Sequence, residues 1–323
     1  MIYINRPDTD PYFNIAAEEF FLKNRTEDIA MIWQCEPAVI IGKHQNAMAE
    51  VNPDLIRKQE IPVIRRLSGG GTVYHDQGNI NFTVIRSETN RERMIDFRQF
   101  TKPVINFLDE LGIQAKFEGK NNLIAGLKKF SGNSAHVYKN RVIHHGTILF
   151  DSNLKRLNNS IKSSLLKIED KAVKSIRATV VNIRELLSAD MSINEFKTAF
   201  ENYLLRFYMI KNVEDISEVD KTAINSLANK KYRTQAWNYG YSPKYKLRSS
   251  LKVEGGHADI QLKVVNGLIA NATIEGDHEK IKELRRVLLK IIGLPHHPAL
   301  LDPYIRELIK SETDRKLFNK VLF

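Results

Sequence analysis

The chain has 323 residues, 42% of them hydrophobic and 27% charged, with a formal net charge of +11. This length suits roughly two domains, the apolar share argues against a disordered chain, and one cysteine, Cys35, excludes a disulfide framework and suits a reducing compartment. No apolar run approaches the roughly 20 residues that span a bilayer, no secretory leader pattern opens the sequence, and the basic residues are interleaved with acids, as in EKIKELRRVLLK, so the expectation is a soluble cytoplasmic protein with neither a membrane nor a nucleic acid as partner.

In chain order, Phe13 to Asn24 reads as a helix with Asn14 placed to cap it and Glu18 and Glu19 in its first turns. AMIWQ (30–34) and AVIIGK (38–43) are short β-rich runs on either side of Pro37. IPVIRR leads into a glycine triplet, after which TVYH and NINFTVIR read as two strands joined by Asp76-Gln77-Gly78. Phe97, Phe100, Val104, Phe107, Leu108 and Leu111 recur at helical spacing up to Gly112. RVIHHGTILF (141–150) is a further strand, and 195–209 and 219–231 are amphipathic helices. The pattern changes near Gly240-Tyr241-Ser242-Pro243, and Asn266-Gly267 between two alternating runs is a strong hairpin signal. Ile281, Leu284, Leu288 and Ile291 then mark a helix that stops at Gly293-Leu294-Pro295. The expectation is an α+β protein with a large domain over 1–244 and a small α+β domain over 245–323.

Three runs could carry chemistry. In Arg65-Arg66-Leu67-Ser68-Gly69-Gly70-Gly71-Thr72-Val73-Tyr74-His75-Asp76, three glycines let the backbone turn sharply and bring its N–H groups against an anion. The two arginines offer planar donor forks suited to phosphate or carboxylate. A bare glycine triplet would be only a hairpin turn; the arginines, Ser68 and a strand on each side favour an anion site. The run is neither a Walker A sequence, since no Gly-Lys-Ser/Thr follows, nor a Rossmann fingerprint opening a helix. In Gly126-Leu127-Lys128-Lys129-Phe130-Ser131-Gly132-Asn133-Ser134-Ala135, a lysine beside small residues leaves room for a substrate whose charge it could offset. Alone, such a lysine is usually a solvated loop residue. In Arg141-Val142-Ile143-His144-His145-Gly146-Thr147, adjacent histidines on a strand point to opposite faces and do not share a metal easily. HExxH, a zinc-type cysteine pair and GxSxG are all absent, so no protein-held metal is expected. His296-His297 read as loop residues, and Cys35 as a buried structural thiol.

Together these runs resemble the lipoate–protein ligase family, of the bacterial type with a large catalytic and a small C-terminal domain. The resemblance starts at Asp10-Pro11-Tyr12-Phe13-Asn14 with Glu18-Glu19 and continues through Val39-Ile40-Ile41-Gly42-Lys43-His44-Gln45-Asn46. It then takes in RRLSGGGTVYHDQGN, KKFSGNSAH, HHGT and Trp237-Asn238-Tyr239-Gly240. It implies a mixed-sheet catalytic domain of the biotin/lipoate ligase type. It also implies that lipoate and ATP with Mg²⁺ give lipoyl-AMP and pyrophosphate, and that a lysine of a lipoyl domain then takes the lipoyl group. The acceptors implied are E2 subunits of 2-oxoacid dehydrogenases and the glycine cleavage H protein. By the same resemblance Arg66, Gly71, Thr72, Val73 and Tyr74 fall where the family binds the adenylate. Lys129 falls at the essential lysine on the lipoate carboxyl and the α-phosphate. Ser68, Gly69 and Gly70 fall on the lipoyl side, and His75 and Asp76 in their support. One departure concerns the Arg-Asn-Asp run common in the family, which is Lys120-Asn121-Asn122 here. The missing aspartate leaves as the alternative a lipoyltransferase that uses preformed lipoyl-AMP or a lipoylated donor protein, with little adenylation of its own.

Overall fold

In the computed structural model, residues 1–161, 167–253, 256–277 and 281–323 are described. In chain order the elements are β1 (Ile2–Ile4), α1 (Pro11–Asn24), β2 (Ile29–Trp33), β3 (Ala38–Ile41), α2 (Ala47–Glu50), α3 (Pro53–Lys58), β4 (Val63–Arg65), β5 (Val73–His75), β6 (Asn79–Ser87), α4 (Phe97–Glu110), β7 (Ala115–Glu118), β8 (Asn122–Ala125), β9 (Lys128–Tyr138) and β10 (Arg141–Leu149). They continue with α5 (Leu154–Ser160), β11 (Lys167–Glu169), α6 (Ile193–Phe207), β12 (Val213–Glu214), α7 (Glu218–Leu227), β13 (Tyr245–Val253), β14 (Gly256–Val265), β15 (Leu268–Gly276), α8 (Ile281–Lys290), α9 (Pro298–Leu308) and α10 (Glu312–Leu322).

The first helix starts earlier than its apolar pattern suggests. Asp10 accepts from the N–H of Tyr12, and Pro11 takes the first helical position, where a missing N–H costs nothing. Asn14 is therefore not the cap. It lies buried inside the helix, donating to the carbonyls of Asp8 and Gln34 and accepting from Arg6. A second difference is that KKFSGNSAH, to which the sequence pattern assigns no element, is part of the long strand β9.

Most of the elements fall into two compact units, Met1–Lys43, Ile64–Asn158 and Ile176–Arg233 forming one, His44–Val63, Asn159–Ser175 and Thr234–Phe323 the other. The second of these joins 44–63 and 159–175 to the C-terminal residues.

The first unit holds an eight-stranded sheet of order β12-β1-β2-β6-β10-β9-β8-β7, in which β1 runs parallel to β2 and β12 and the other pairs are antiparallel. Strand alternation divides its residues cleanly. Ile80, Phe82 and Val84 enter a core with Phe100, Val104 and Phe107 of α4 and Phe196 and Phe200 of α6, where Phe82 stacks on Phe100 with ring centroids 4.9 Å apart. The alternating residues Asn79, Asn81 and Thr83 face the other side, where Thr83 meets Glu18 of α1. A small sheet of order β4-β3-β5 carries the glycine run between β4 and β5.

The second unit is built on the sheet β11-β13-β14-β15. Asn266 and Gly267, with φ of 50° and 75°, form the two-residue turn between β14 and β15 that the sequence predicts. His296 and His297 lie outside any helix or strand, as expected, and His296 is buried: Nδ1 lies 2.6 Å from the Tyr245 hydroxyl and Nε2 2.9 Å from the Leu322 carbonyl. Among the described residues no helix is long and apolar enough to cross a membrane.

Candidate active site

The glycine run is shaped by its own arginines. Arg65, with no exposed surface, donates to the carbonyls of Gly42 and Lys43. Arg66 donates through Nε to Ser68 Oγ at 3.0 Å, through Nη1 to the Ile40 carbonyl at 3.1 Å, and through Nη2 to the carbonyls of Gly69 and Gly71 at 2.6 and 2.8 Å. Most of its five N–H donors are thus committed inside the protein. Burial lowers its pKa to about 10, against the pull of Glu18, so it stays charged at neutral pH.

This arrangement has a consequence for the loop amides. Across a trans peptide the C=O of one residue and the N–H of the next point in opposite directions. Turning the Gly69 and Gly71 carbonyls onto Arg66 therefore turns the N–H groups of Gly70 and Thr72 away from it. Among the described residues no acceptor meets the N–H groups of Ser68, Gly69, Gly70 or Gly71. Backbone of this kind suits an anion, and Arg66 holds it in shape.

The floor beneath is ordered in transverse rows. Register places Asn122 of β8 opposite Gly132 of β9, and Thr147 of β10 opposite Asn81 of β6, which in turn faces Trp33 of β2. The Gly132 N–H donates to Thr147 Oγ1 at 3.2 Å and joins the two halves of this row. Two residues along, about 7 Å away, a second row runs Ser134, His145, Thr83, Met31. The Ser134 hydroxyl donates to the Gly69 carbonyl at 2.8 Å and fastens the glycine loop to β9.

Lys129 lies over the first row. Its Nζ is 3.1 Å from where a Cβ on Gly132 would be, so only glycine there leaves the ammonium its place. The side chain is half-buried, and among the described residues no carboxylate or other acceptor meets Nζ. Burial, and then the charge of Arg66, hold its pKa below the ordinary lysine value. A desolvated, unpaired cation beside outward-facing amides is a site for an anion.

On the second row a buried polar relay joins the loop to α1. Ser68 Oγ lies 2.6 Å from His145 Nε2, His145 Nδ1 lies 2.8 Å from Glu18 Oε2, and Thr83 donates to Glu18 Oε1 at 2.6 Å while accepting from Trp33 Nε1. Burial alone would raise the Glu18 carboxyl, but attraction to His145, the bonds from His145 and Thr83, and Arg6 bring it below the ordinary range. The line resembles a serine triad, yet Ser68 has no exposed surface and its Oγ also takes the Arg66 Nε–H. It is built to hold the loop rather than to attack a substrate.

The expected residues divide accordingly. Lys129, Arg66, Ser68, Gly69, Gly70 and Gly71 come together around β9, with Thr72, Val73 and Tyr74 continuing the loop into β5. His75 and Asp76 lie farther along. His75 faces Trp33 and Cys35, and burial followed by Arg66 pushes its pKa down to about 3, so it is neutral. Asp76 accepts from the N–H groups of Gly78 and Asn153 and so fixes the turn into β6. Cys35 is fully buried, and burial drives its thiol well above the ordinary range. Sequence reasoning quoted Glu18, Gly42, Ser134 and Thr147 within motifs but gave them no role, and it missed Asn81; the histidine pair it favoured as buried and hydrogen-bonded rather than catalytic, and His145 is bonded at both ring nitrogens. Alternation along β6 and β10 from the buried Phe82 would have placed Asn81, His145 and Thr147 on one face. Asn79 Oδ1 and Asn81 Nδ2, both buried on that face, have no partner among the described residues.

Gly146 lies between His145 and Thr147 but faces the core. A Cβ there would come within 2.1 Å of Asn133 Oδ1 and 2.6 Å of the Phe82 ring. Gly146→Ala should therefore destabilise the fold by about 1–3 kcal/mol, read as a lower midpoint in urea with an unchanged slope.

Among the described residues no group of three His, Cys, Asp or Glu side chains could hold a metal. The glycine loop and Lys129 thus suit an enzyme acting on an anionic substrate, with no side chain among the described residues placed as a nucleophile. The comparisons narrow this class. Residues 10–205 match the family described as Lipoyl protein ligase A/B catalytic domain, and residues 242–313 the one described as Bacterial lipoate protein ligase C-terminus. The chain is 38% identical over 296 residues to Lipoate--protein ligase 1 of Staphylococcus aureus, covering 90% of this chain and 89% of that one. Among solved structures it is similar to the bi-partite lipoate protein ligase of Thermoplasma acidophilum, studied with its E2 lipoyl domain (25% identity, TM-score 0.63, 74% of this chain and 96% of that one). It is similar too to a lipoate-protein ligase A bound with ATP (26% identity, TM-score 0.63, 74% and 98%). The chain belongs to the lipoate–protein ligase family.

Proposed function

We propose that this chain activates lipoate with MgATP to lipoyl-AMP and transfers the lipoyl group to a lysine of a lipoyl domain, on E2 subunits of 2-oxoacid dehydrogenases and the glycine cleavage H protein, in the cytoplasm. The observation that carries this reading is the half-buried Lys129 Nζ over Gly132, beside a loop whose glycine amides, like that Nζ, meet no acceptor among the described residues. A carboxylate approaching a phosphate meets like-charge repulsion, and a cation held between them offsets it. In the first step a carboxylate oxygen bonds to the α-phosphorus and the bond to the leaving pyrophosphate breaks. In the second the acceptor amine attacks the acyl carbon, AMP leaves with the electron pair of the C–O bond, and the amine loses a proton. Lys129 would stabilise the anionic oxygen in both. Arg66 shapes the adenylate loop, Gly71 to Tyr74 line the nucleotide, and Ser68 to Gly70, supported by His75 and Asp76, border the lipoyl chain.

A specific residue favours a second reading. Asn122, in place of the family's aspartate, sits opposite Gly132 and so beside Lys129. An amide there gives less negative charge to attract the magnesium carried by ATP, which would weaken the first step and leave the second. Pyrophosphate release from ATP, Mg²⁺ and lipoate without acceptor separates the two. Release together with lipoylation of an unmodified lipoyl domain is the expected result. No release, with lipoylation restored by added lipoyl-AMP, would establish the transferase instead.

A further inference from the structure

Strands β8 and β9 are joined by a two-residue turn, Gly126-Leu127, since Ala125 pairs with Lys128. Gly126 has φ of 60° and supplies the left-handed residue the turn requires. The second turn position asks for nothing bulky, and polar residues are usual there. Leu127 nevertheless stands 93% exposed. The fold gives it no work.

A second apolar side chain lies at the same end. The backbone of Lys129 is flanked on its other side by residues 179–181: its N–H donates to the Thr179 carbonyl and its carbonyl accepts from the Val181 N–H, in a parallel bridge. Three residues before Thr179 comes Ile176, also 93% exposed. Parallel pairing carries 176–178 back toward the level of the Gly126-Leu127 turn. Two fully exposed aliphatic side chains thus bracket the backbone that presents the reactive lysine.

The surroundings are basic. No acid occurs in residues 119–134 or 176–183, which hold Lys120, Lys128, Lys129 and Arg177; Glu118 of β7 lies just outside them, and Arg184 is already paired with Asp151 and Asp190. On the site face, register puts exposed Lys116 of edge strand β7 in line with Ile124 and Lys129. A single exposed aliphatic residue needs no explanation. A pair of them beside the site lysine, set among cations, matches a transient protein interface with an apolar centre and a charged rim.

We infer that Leu127 and Ile176, with Lys116 and Lys128 at their rim, form the docking surface for the acceptor protein, and that this partner presents an apolar side chain and an acidic rim beside its target lysine. The inference rests on the proposed acyl transfer, because only an acceptor amine must reach the ligand held by Lys129. Opposite charge at the rim speeds encounter, and the two aliphatic side chains set how long the complex lasts.

The test uses the full chain and an unmodified lipoyl domain from an E2 subunit. Leu127→Ser with Ile176→Ser should raise the acceptor KM roughly tenfold, as expected for two truncated interface anchors. Lipoate-dependent pyrophosphate release without acceptor should be unchanged. Lys116→Glu with Lys128→Glu should raise the acceptor KM and flatten its dependence on salt, leaving the lipoate KM as it was. An unchanged acceptor KM in the first variant, beside wild-type pyrophosphate release, would overturn the surface while the ligase reading stands. A wild-type protein that lipoylates nothing would remove the ligase reading itself. Sedimentation gives a third outcome: a dimer that Leu127→Ser dissolves would reassign the patch to self-association and overturn the inference. Calorimetric titration of the unmodified domain into wild type and variant, with no lipoate present, checks the contact without any turnover.

Discussion

Replacing Lys129 with alanine is expected to lower lipoylation of an acceptor domain by at least about 100-fold, the loss typical of removing one group that stabilises a developing anion. Both half-reactions should fall, since on the proposed mechanism the same ammonium faces the carboxylate–phosphate encounter and then the acyl carbonyl. The fold should survive. Lys129 Nζ meets no acceptor among the described residues, so its removal breaks no hydrogen bond or ion pair. Its backbone pairing to 179–181 does not depend on the side chain. The pKa argument has a definite sign. Burial and Arg66 depress the folded-state pKa below the unfolded value, so the charged lysine costs stability at every pH below the folded pKa, and that cost fades as pH rises toward the unfolded pKa. At pH 7 the alanine variant should therefore melt at the same temperature as wild type or slightly above it. Retained turnover in the folded variant would take Lys129 out of the mechanism. A large fall in melting temperature would mean that it carries structure instead.

How much of this was legible in the sequence varies by kind of signal. Where one residue type answers a backbone demand, the reading came through: Asn266-Gly267 closes its hairpin, and Gly112, with φ of 75°, stops α4. Where a signal was read one step too late, the error is specific. Asp10-Pro11 is a cap followed by a first-turn proline, but the apolar run beginning at Phe13 drew attention to Asn14. KKFSGNSAH escaped as a strand because small and polar residues have weak β preference; its neighbours β8 and β10 and the bulge near Leu123 hold it in the sheet. The site shows the same division. A lysine among glycines and serines could be picked out from residue types. The role of Arg66 could not, because a guanidinium that grips its own loop and one that grips a phosphate have the same sequence; only the carbonyls of Ile40, Gly69 and Gly71 around it tell them apart. The relay from Ser68 through His145 to Glu18 joins three elements far apart in the chain, and no local pattern encodes it.

The glycine loop gives the second large effect, and it can be approached from two sides. Gly70 has φ of 87° and its missing Cβ would point at Arg66 Nη2, 3.2 Å away, and Ser134 Oγ, 3.6 Å away. Gly70→Val places a β-branched side chain in the left-handed region, at a cost of roughly 1–3 kcal/mol, and crowds the guanidinium that turns the loop's peptide planes. The loop should relax by rotating the peptide whose N–H now faces outward, so affinity for a lipoyl-adenylate analogue should fall at least about tenfold, a loss of roughly 1.4 kcal/mol. Gly42 tests the same geometry from β3's end, leaving the loop sequence intact. A Cβ on Gly42 would lie 2.1 Å from the Gly70 carbonyl oxygen and 3.3 Å from Arg66 Nη2, so Gly42→Ala must push the loop away from β3. If the outward-facing amides bind the adenylate, both substitutions weaken the analogue in calorimetry while binding of lipoate alone falls less. Gly69 supplies the comparison, because a Cβ there meets nothing within 4 Å, and Gly69→Ala should leave the loop in place. Near-normal adenylate affinity in both Gly70→Val and Gly42→Ala would make the loop a structural turn and leave the nucleotide to be held elsewhere.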